Sequence, residues 1–520
     1  MDGQSFEEAQ RRRFEGGHGG CVCNRRRCPD GSSRVAATAS GGRNGNARGD
    51  CDAPPLSIAL RSTNQRAAGP AGRESGNGKR KRFLMSPGMS RGIRRQAVII
   101  VATLATAYVA SHFFRAANVT IGLDLMRDLG IGPEALGALT GAFFFGFSAM
   151  QIPCGFLFDR YGPRRTVTGM LAVAVIGATL FTLAPAWPQL LAGRALMGAG
   201  FGVMLIGSMV VISRWFPPDR FATLAGIVLS VGLLGNLLAT TPLAWGTEMI
   251  GWRGVFGLMV AFTALAALGV WVIVRDAPPG HPFLARAPET AAEMIQGLGE
   301  VMKNPQLKFI IALNFCNYAC TFTVQGLWGG PFLREVHGLT RVESGNVLLV
   351  AVIAYQIGML TISPLDRVFD TRKRIAIAGT LLIAAILATL AFWAEAPLWV
   401  AVGAIVGIGF LSASSTMVMT HGRAIFPDRL IGRGIATMNT SVMLGVACMQ
   451  TLSGVIVGAF DPLPDGARSE EAYRTLFGFM VVVLLLAVTV YGRSRDIRPS
   501  DELRARQAAL TQQVRPQRVA

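Results

Sequence analysis

Tyr108, His112 and Arg115 recur at i, i+4 and i+7, a spacing that places three side chains on one face of a helix. Together they can hold an anion. A guanidinium grips a carboxylate or phosphate in a bidentate fork, and an imidazole titrates near neutrality, which makes His112 a candidate proton carrier. A second polar stripe runs through Asn314, Tyr318, Thr321, Gln325 and Trp328, again at helical spacing. Gln151, Asn236, Tyr355, Gln356 and Asn439 are single polar side chains in apolar surroundings, and each suits a contact between helices as well as a ligand. A third set differs in kind. The stretch "GFLFDRYGPRR", residues 155–165, ends a run with no charge from Ala135 to Phe158, and places Asp159, Arg160, Arg164 and Arg165 around Gly162 and Pro163.

The elements that must position these groups are long and apolar. The chain of 520 residues is 51% hydrophobic and 16% charged, whereas a soluble protein carries about a quarter charged residues. A helix needs about twenty apolar residues to cross the hydrocarbon core. Twelve segments qualify: 97–117, 137–158, 166–185, 190–213, 222–246, 252–274, 306–328, 344–365, 374–394, 397–420, 432–458 and 475–492. The fold class is therefore an all-α membrane protein. Tyr108, His112 and Arg115 fall on span 1, with Arg115 near its outer end, and the second stripe falls on span 7. The spans hold essentially no Asp or Glu; acids appear at their ends, as with Glu134, Glu343 and Glu395. Intramembrane charge is costly and usually functional, so the lack of an embedded carboxylate argues against a cationic substrate.

Charge also separates the two sides. Loops after the even-numbered spans carry Arg160, Arg164 and Arg165; Arg214 and Arg220; Arg275 and Arg286; Arg367, Arg372, Lys373 and Arg374; and Arg423, Arg429 and Arg433. The opposite loops are richer in acids: Asp124, Asp128, Glu248, Glu395, Asp461 and Asp465. The positive-inside rule places the arginine side, and with it both termini, in the cytoplasm. The expected location is a bacterial inner membrane.

The expected organisation has five parts. Residues 1–94 form a basic segment, 95–274 a first six-helix bundle, 275–305 a linker, 306–492 a second bundle and 493–520 a tail. Thr290 and Glu293 have capping-box spacing and predict a short surface helix in the linker. The net charge is +19, and residues up to Arg95 hold 19 basic against 8 acidic side chains. Their composition cannot offset ordering entropy, so disorder is expected, and a start at Met85 or Met89 would omit most of the segment. Cys21, Cys23, Cys28 and Cys51 lie there without paired C-x-x-C spacing, so no metal is expected; Cys154, Cys316, Cys320 and Cys448 read as small packing residues.

The chain repeats. A shift of 207 brings Arg127-Asp128-Leu129 onto Arg334-Glu335-Val336, Asp159-Arg160 onto Asp366-Arg367, and Arg165 onto Arg372. A shift of 209 brings Asp219-Arg220 onto Asp428-Arg429. Parallel repeats of this kind occur in transporters that rock two halves about a midplane site.

Over about residues 95–492 the chain resembles the major facilitator superfamily. "GFLFDRYGPRR" is similar to that family's signature between helices 2 and 3, G-x-L-x-D-R-x-G-R-[KR]. "RALMGAG" is similar to its helix 4 signature, R-x-x-x-G-x-G, carried here by Arg194, Gly198 and Gly200. The second copy, "SPLDRVFDTRKR", is degenerate, with Ser363 near the expected glycine and Phe369 where the first copy has Gly162. The resemblance implies twelve transmembrane helices in two pseudo-symmetric six-helix bundles. It implies a gating motif at Gly155, Asp159, Arg160, Gly162, Arg164 and Arg165, echoed by Asp366 and Arg367, that latches the cytoplasmic side. Gly155 should let helix 2 pack closely. It also implies a central site lined by helices 1 and 7, with Arg115, His112, Tyr108, Asn314, Tyr318, Gln325, Trp328 and Tyr355 as candidate substrate contacts. Organic-anion and organophosphate carriers of the family use an arginine near this place in helix 1, and organophosphate antiporters add one from helix 7. Here the shift puts Phe322 opposite Arg115, which favours a carboxylate or zwitterion over a phosphate ester. The alternative for Arg115 is a structural pair with Asp124 or Asp128, or a head group reaching for the lipid surface.

The expected function is secondary transport of a small solute, an organic anion or zwitterion, with a proton as a possible coupling partner. A transporter-fold receptor without net flux is the alternative. No Walker G-x-x-x-x-G-K-[ST], H-E-x-x-H or serine-elbow pattern stands out, so no enzyme, cofactor or nucleic-acid partner is expected.

Overall fold

The computed structural model describes residues 91–216, 218–278, 291–393, 396–427, 430–464, 466–501 and 504. Thr290, Glu395, Asp428, Arg429, Asp465 and the four cysteines before residue 52 lie outside these. In chain order the first half comprises α1 (Arg91–Ala116), α2 (Asn118–Leu129), α3 (Pro133–Gln151), α4 (Pro153–Leu183), α5 (Trp187–Phe201), α6 (Met204–Trp215), α7 (Pro218–Leu238) and α8 (Thr241–Ile273). A connecting helix α9 (Ala291–Met302) follows. The second half comprises α10 (Leu307–Thr323), α11 (Gly329–Glu335), α12 (Arg341–Ile362), α13 (Leu365–Val368), α14 (Lys373–Phe392), α15 (Leu398–Leu411), α16 (Ser415–Ala424), α17 (Ile431–Gly458) and α18 (Glu470–Tyr491).

Ten helical segments among the described residues are long and apolar enough to cross a membrane. The shorter α3 and the apolar stretch Thr223–Leu238 of α7 bring the count to the twelve expected. Two of the crossings broken where the sequence predicts continuity restart on a proline. Span 2 is interrupted at Ile152, and span 5 between Leu238 and Thr241. In each case a proline, Pro153 or Pro242, stands in the first turn of the new segment, where its missing N–H costs nothing. Helix α4 then reverses at Gly162 (φ 78°, ψ 160°) and α8 at Gly251 (φ 72°, ψ 161°). Only glycine adopts that conformation without strain, so a single residue turns the chain from span 2 into span 3 and from span 5 into span 6.

The halves meet on the side opposite the arginine loops. There α3 of the first half crosses α17 of the second so closely that a Cβ on Gly137 would lie 2.5 Å from the Gln450 carbonyl oxygen, and one on Gly454 2.5 Å from that of Pro133. Small residues at a membrane helix crossing replace side-chain volume with backbone contact. Asp124 pairs with Arg341 across the same seam, and the Thr241 hydroxyl donates to Asn346 Oδ1 at 2.7 Å. Nearer mid-height the Ser148 hydroxyl donates to the Thr440 carbonyl at 3.2 Å. On the arginine side α9 docks on the second half, where Asn304 Nδ2 donates to the Ile425 carbonyl at 3.0 Å.

Candidate functional site

Helix α1 ends at Ala116, Ala117 bends the chain, and α2 continues to Leu129. Arg115 therefore sits in the last turn of α1, just before the bend into α2. It is 7% exposed. Its guanidinium lies over the Phe147 ring of α3, 5.1 Å from the centroid, and interacts with the hydroxyls of Tyr108 and Tyr318. Tyr355 of α12 is within electrostatic reach of the same guanidinium and of both tyrosines. The Nε atom is buried without a partner. Both acids named as structural alternatives are engaged elsewhere: Asp124 with Arg341, and Asp128 with Trp252 Nε1 at 2.8 Å and Arg253 at 3.7 Å.

His112 packs its ring edge-on against Tyr108, with centroids 4.6 Å apart, and its Nδ1 is 3.2 Å from Asn236 Oδ1. An amide oxygen only accepts, so Nδ1 carries the proton and Nε2 is left as a buried acceptor with no partner. Gly232 and Gly235 of α7 admit this arrangement; a Cβ on Gly235 would stand 2.8 Å from His112 Cβ. The helical spacing thus brings Tyr108, His112 and Arg115 together, and the fold adds Tyr318 and Tyr355 from the second half.

Three residues of the span 7 stripe are held by other elements of the second half. Asn314 Nδ2 donates to the Met438 carbonyl of α17 at 2.7 Å, Gln325 Nε2 to Ser412 Oγ at 3.3 Å, and Trp328 Nε1 to Ser453 Oγ at 2.7 Å. A π-helical segment, Val324–Trp328, also shifts Gln325 and Trp328 relative to a 3.6-residue period. Of the stripe, Tyr318 is the residue turned to Arg115. Gln151 likewise ties helices together, donating to the Gly202 carbonyl at 3.0 Å.

Arg194 is wholly buried inside the first half. It donates to the Phe114 carbonyl at 3.0 Å and lies over the rings of Phe143 and Phe181, 5.1 and 5.5 Å from their centroids. Gly198 packs on the Phe143 carbonyl of α3, and a Cβ on Gly200 would lie 2.5 Å from the Met170 carbonyl of α4. These motif residues hold helices together around Arg194.

The arginine-side motif is tied within its own half by a residue the sequence reading missed. Asp276, just past α8, accepts the Arg164 backbone N–H at 2.7 Å and so caps the helical segment that starts at Pro163. Arg164 Nε donates to the Trp271 carbonyl at 2.8 Å, and its guanidinium stacks 4.5 Å from the Trp271 ring centroid. Asp159 and Asp276 both act on Arg214 at the end of α6. Arg160 lies over the Tyr161 ring, and Arg165 is exposed. Gly155 is a correction: it is exposed, and a Cβ there would meet nothing within 4 Å, because no helix is packed on it here. In the second copy Asp366 pairs with Arg372 at 3.5 Å, and Arg367 is exposed. Of the four cysteines described, Cys154 and Cys320 are buried as expected, Cys316 is half-buried and Cys448 is exposed. No cluster of metal-ligating side chains occurs among the described residues.

Comparison with known proteins agrees with this architecture. The chain is 26% identical over 386 residues to vesicular glutamate transporter 1 of Bos taurus, covering 69% of this chain and 66% of that protein, just under two thirds of its length. It is 23% identical over 198 residues to the probable galactarate/D-glucarate transporter GudP of Escherichia coli, covering 36% of this chain and 42% of that protein. A crystal structure of a bacterial homologue of the human lysosomal transporter Spinster, inward-facing and unoccupied, shares the fold at a TM-score of 0.62 and 18% identity, covering 78% of this chain and 97% of that one. The family model described as Major Facilitator Superfamily matches residues 104–365 and 310–519, and the chain is a multi-pass membrane protein of that superfamily.

Proposed function

We propose that this protein is a secondary transporter that moves a small organic anion by alternating access, with Arg115 as the anion contact. The observation that carries the proposal is the guanidinium itself. It is buried at the seam of two halves, faces tyrosines from both, and has no carboxylate partner among the described residues. An unpaired buried cation is costly, and an anionic solute relieves that cost in place of a protein carboxylate. The names of the relatives, transporters of glutamate and of galactarate or glucarate, support a carboxylate. With the arginine side in the cytoplasm, halves joined on the opposite side correspond to an inward-facing arrangement. Transport then requires the α3–α17 crossing and the Asp124–Arg341 pair to part while the Asp159–Arg165 region closes.

The test is uptake of radiolabelled carboxylates into liposomes holding the purified protein. Arg115→Ala should lower uptake at subsaturating solute by about 30-fold or more, the scale of removing one partner of a buried charge pair. Cation or sugar uptake that survives Arg115→Ala would overturn the anion assignment. Binding without flux in either direction would identify a receptor.

A further inference from the structure

We infer that the solute is a monocarboxylate with an apolar body, not a dicarboxylate, amino acid or polyhydroxy acid. The inference rests on the anion reading and deepens it.

The first argument is a charge count. Arg115 is the cation of the cluster. The position related to it by the 207-residue repeat is Phe322, whose ring stacks on Tyr318 with centroids 5.5 Å apart and meets Phe144 of the first half edge-on at 5.3 Å. Arg194, the other arginine buried in the first half, is enclosed by Phe143 and Phe181. A second carboxylate on the solute would therefore lie among phenyl rings with no counter-charge, which in a low-dielectric setting costs more than its dispersion contacts return. A solute ammonium group fares no better. The acids of α2, Asp124 and Asp128, are held by Arg341 and by Trp252 with Arg253.

The second argument is the supply of polar partners. Asn314, Gln325 and Trp328 each direct a donor away to α17 or to Ser412. Arg115 meets the hydroxyls of Tyr108 and Tyr318, with Tyr355 within electrostatic reach and the buried Nε2 of His112 nearby as an acceptor. That set completes one carboxylate and serves one further hydroxyl or keto group. A chain of four or five hydroxyls would leave most of them facing Phe144, Phe147 and Phe322 without partners, and an unsatisfied buried hydroxyl is strongly disfavoured. The same rings suit an aromatic or branched apolar body, which gains from offset and edge-on contacts.

The experiment is competition against transport, or thermal stabilisation of the full chain, with matched ligands: benzoate and phenylacetate against phthalate, glutamate and galactarate. Benzoate-type ligands should act at concentrations at least about tenfold lower than phthalate in the wild type, a factor that corresponds to about 1.4 kcal/mol. In Phe322→Arg, or Phe322→Lys, a cation enters the position opposite Arg115, and the order should reverse in favour of phthalate. Phthalate, glutamate or galactarate acting as well as benzoate in the wild type overturns the monocarboxylate assignment while leaving the anion reading intact, provided Arg115→Ala abolishes the response. An unchanged order in a folded Phe322→Arg or Phe322→Lys protein overturns the charge count. If no carboxylate acts on the wild type at all, both readings fall. Should neither cationic variant fold, the wild-type panel alone decides.

Discussion

Each half ties its own arginine-side helix ends together with the same device. In the first, Asp276 accepts the Arg164 N–H, Arg164 returns a hydrogen bond to the Trp271 carbonyl, and Trp215 donates to the Arg275 carbonyl at 2.9 Å. In the second, Asp496 accepts the Lys373 N–H at 3.3 Å and the Thr371 hydroxyl at 2.6 Å. Lys373 Nζ donates to the Gly492 and Ser494 carbonyls at 2.6 and 2.7 Å, and His421 Nε2 donates to the Arg495 carbonyl at 2.8 Å. Each collar sets a carboxylate on a helix N-terminus and a cation on a helix C-terminus, where the two macrodipoles favour them. At mid-height the halves diverge. The first leaves Arg115 Nε and His112 Nε2 without partners, whereas the second has Phe322 opposite Arg115 and uses Asn314 and Trp328 to bind α17. The scaffold is duplicated, and the chemistry belongs to one copy.

The comparison is easiest to break at the turns inside the collars. Gly162 turns the first with φ 78°, a conformation closed to side chains, and a Cβ there would also lie 2.7 Å from Asp276 Oδ1. Asp370 turns the second with φ 48°, in the left-handed region that aspartate tolerates. Gly162→Ala should therefore lower unfolding stability by about 1–3 kcal/mol, measured by thermal unfolding in detergent. Removal of the side chain in Asp370→Gly should leave the unfolding midpoint nearly unchanged. Equal losses at the two positions would mean that the turns are strained alike and that the degenerate second copy is not a relaxed version of the first.

A smaller effect tests their likeness. Asp276→Ala and Asp496→Ala each remove a carboxylate that caps a helix, a loss of about 1 kcal/mol in either case. Matching decreases in the unfolding midpoint would sharpen the equivalence of the collars. A loss confined to Asp276→Ala would show that only the first collar bears structural weight.

Much of this was readable from residue order. Apolar runs located the crossings, Gly162-Pro163 marked a turn, and helical spacing gathered Tyr108, His112 and Arg115. The equivalence of Arg275-Asp276 and Arg495-Asp496 was not found, because these pairs are 220 residues apart and the repeat was sought at 207 and 209. The cause is a loop. Gly251 alone joins spans 5 and 6, while a stretch from Ala459 to Ser469 joins their counterparts and adds to the offset. The π segment after Thr323 altered the period only at the end of span 7, and nothing in "VQGLW" distinguishes a π turn from an α turn. The Asp124–Arg341 pair spans 217 residues, and no local pattern connects them. Gly155 was assigned a packing role from its residue type, but a Cβ there would meet nothing within 4 Å.

The smallest expected effect lies at Asp370. Its carboxylate accepts the Ser500 hydroxyl at 2.6 Å and the Ser500 N–H at 2.9 Å, fastening the segment after α18 to the second turn. The hydroxyl, and then the amide, hold this carboxyl below its ordinary value of 3.8. A depressed carboxyl contributes while ionised, so the tether is fully present above the ordinary value and is lost as pH falls through the lower folded value. Among the described residues the first half shows no equivalent, because Gly162 carries no side chain. Asp370→Asn keeps the turn and an acceptor oxygen but removes the charge. Amide hydrogen exchange over residues 493–501 should quicken modestly in Asp370→Asn and further in Asp370→Ala, with uptake of solute unchanged in both. Exchange that is as slow in Asp370→Ala as in the wild type would assign the fastening to Asp496 alone, and the two collars would then hold their following segments by one shared contact.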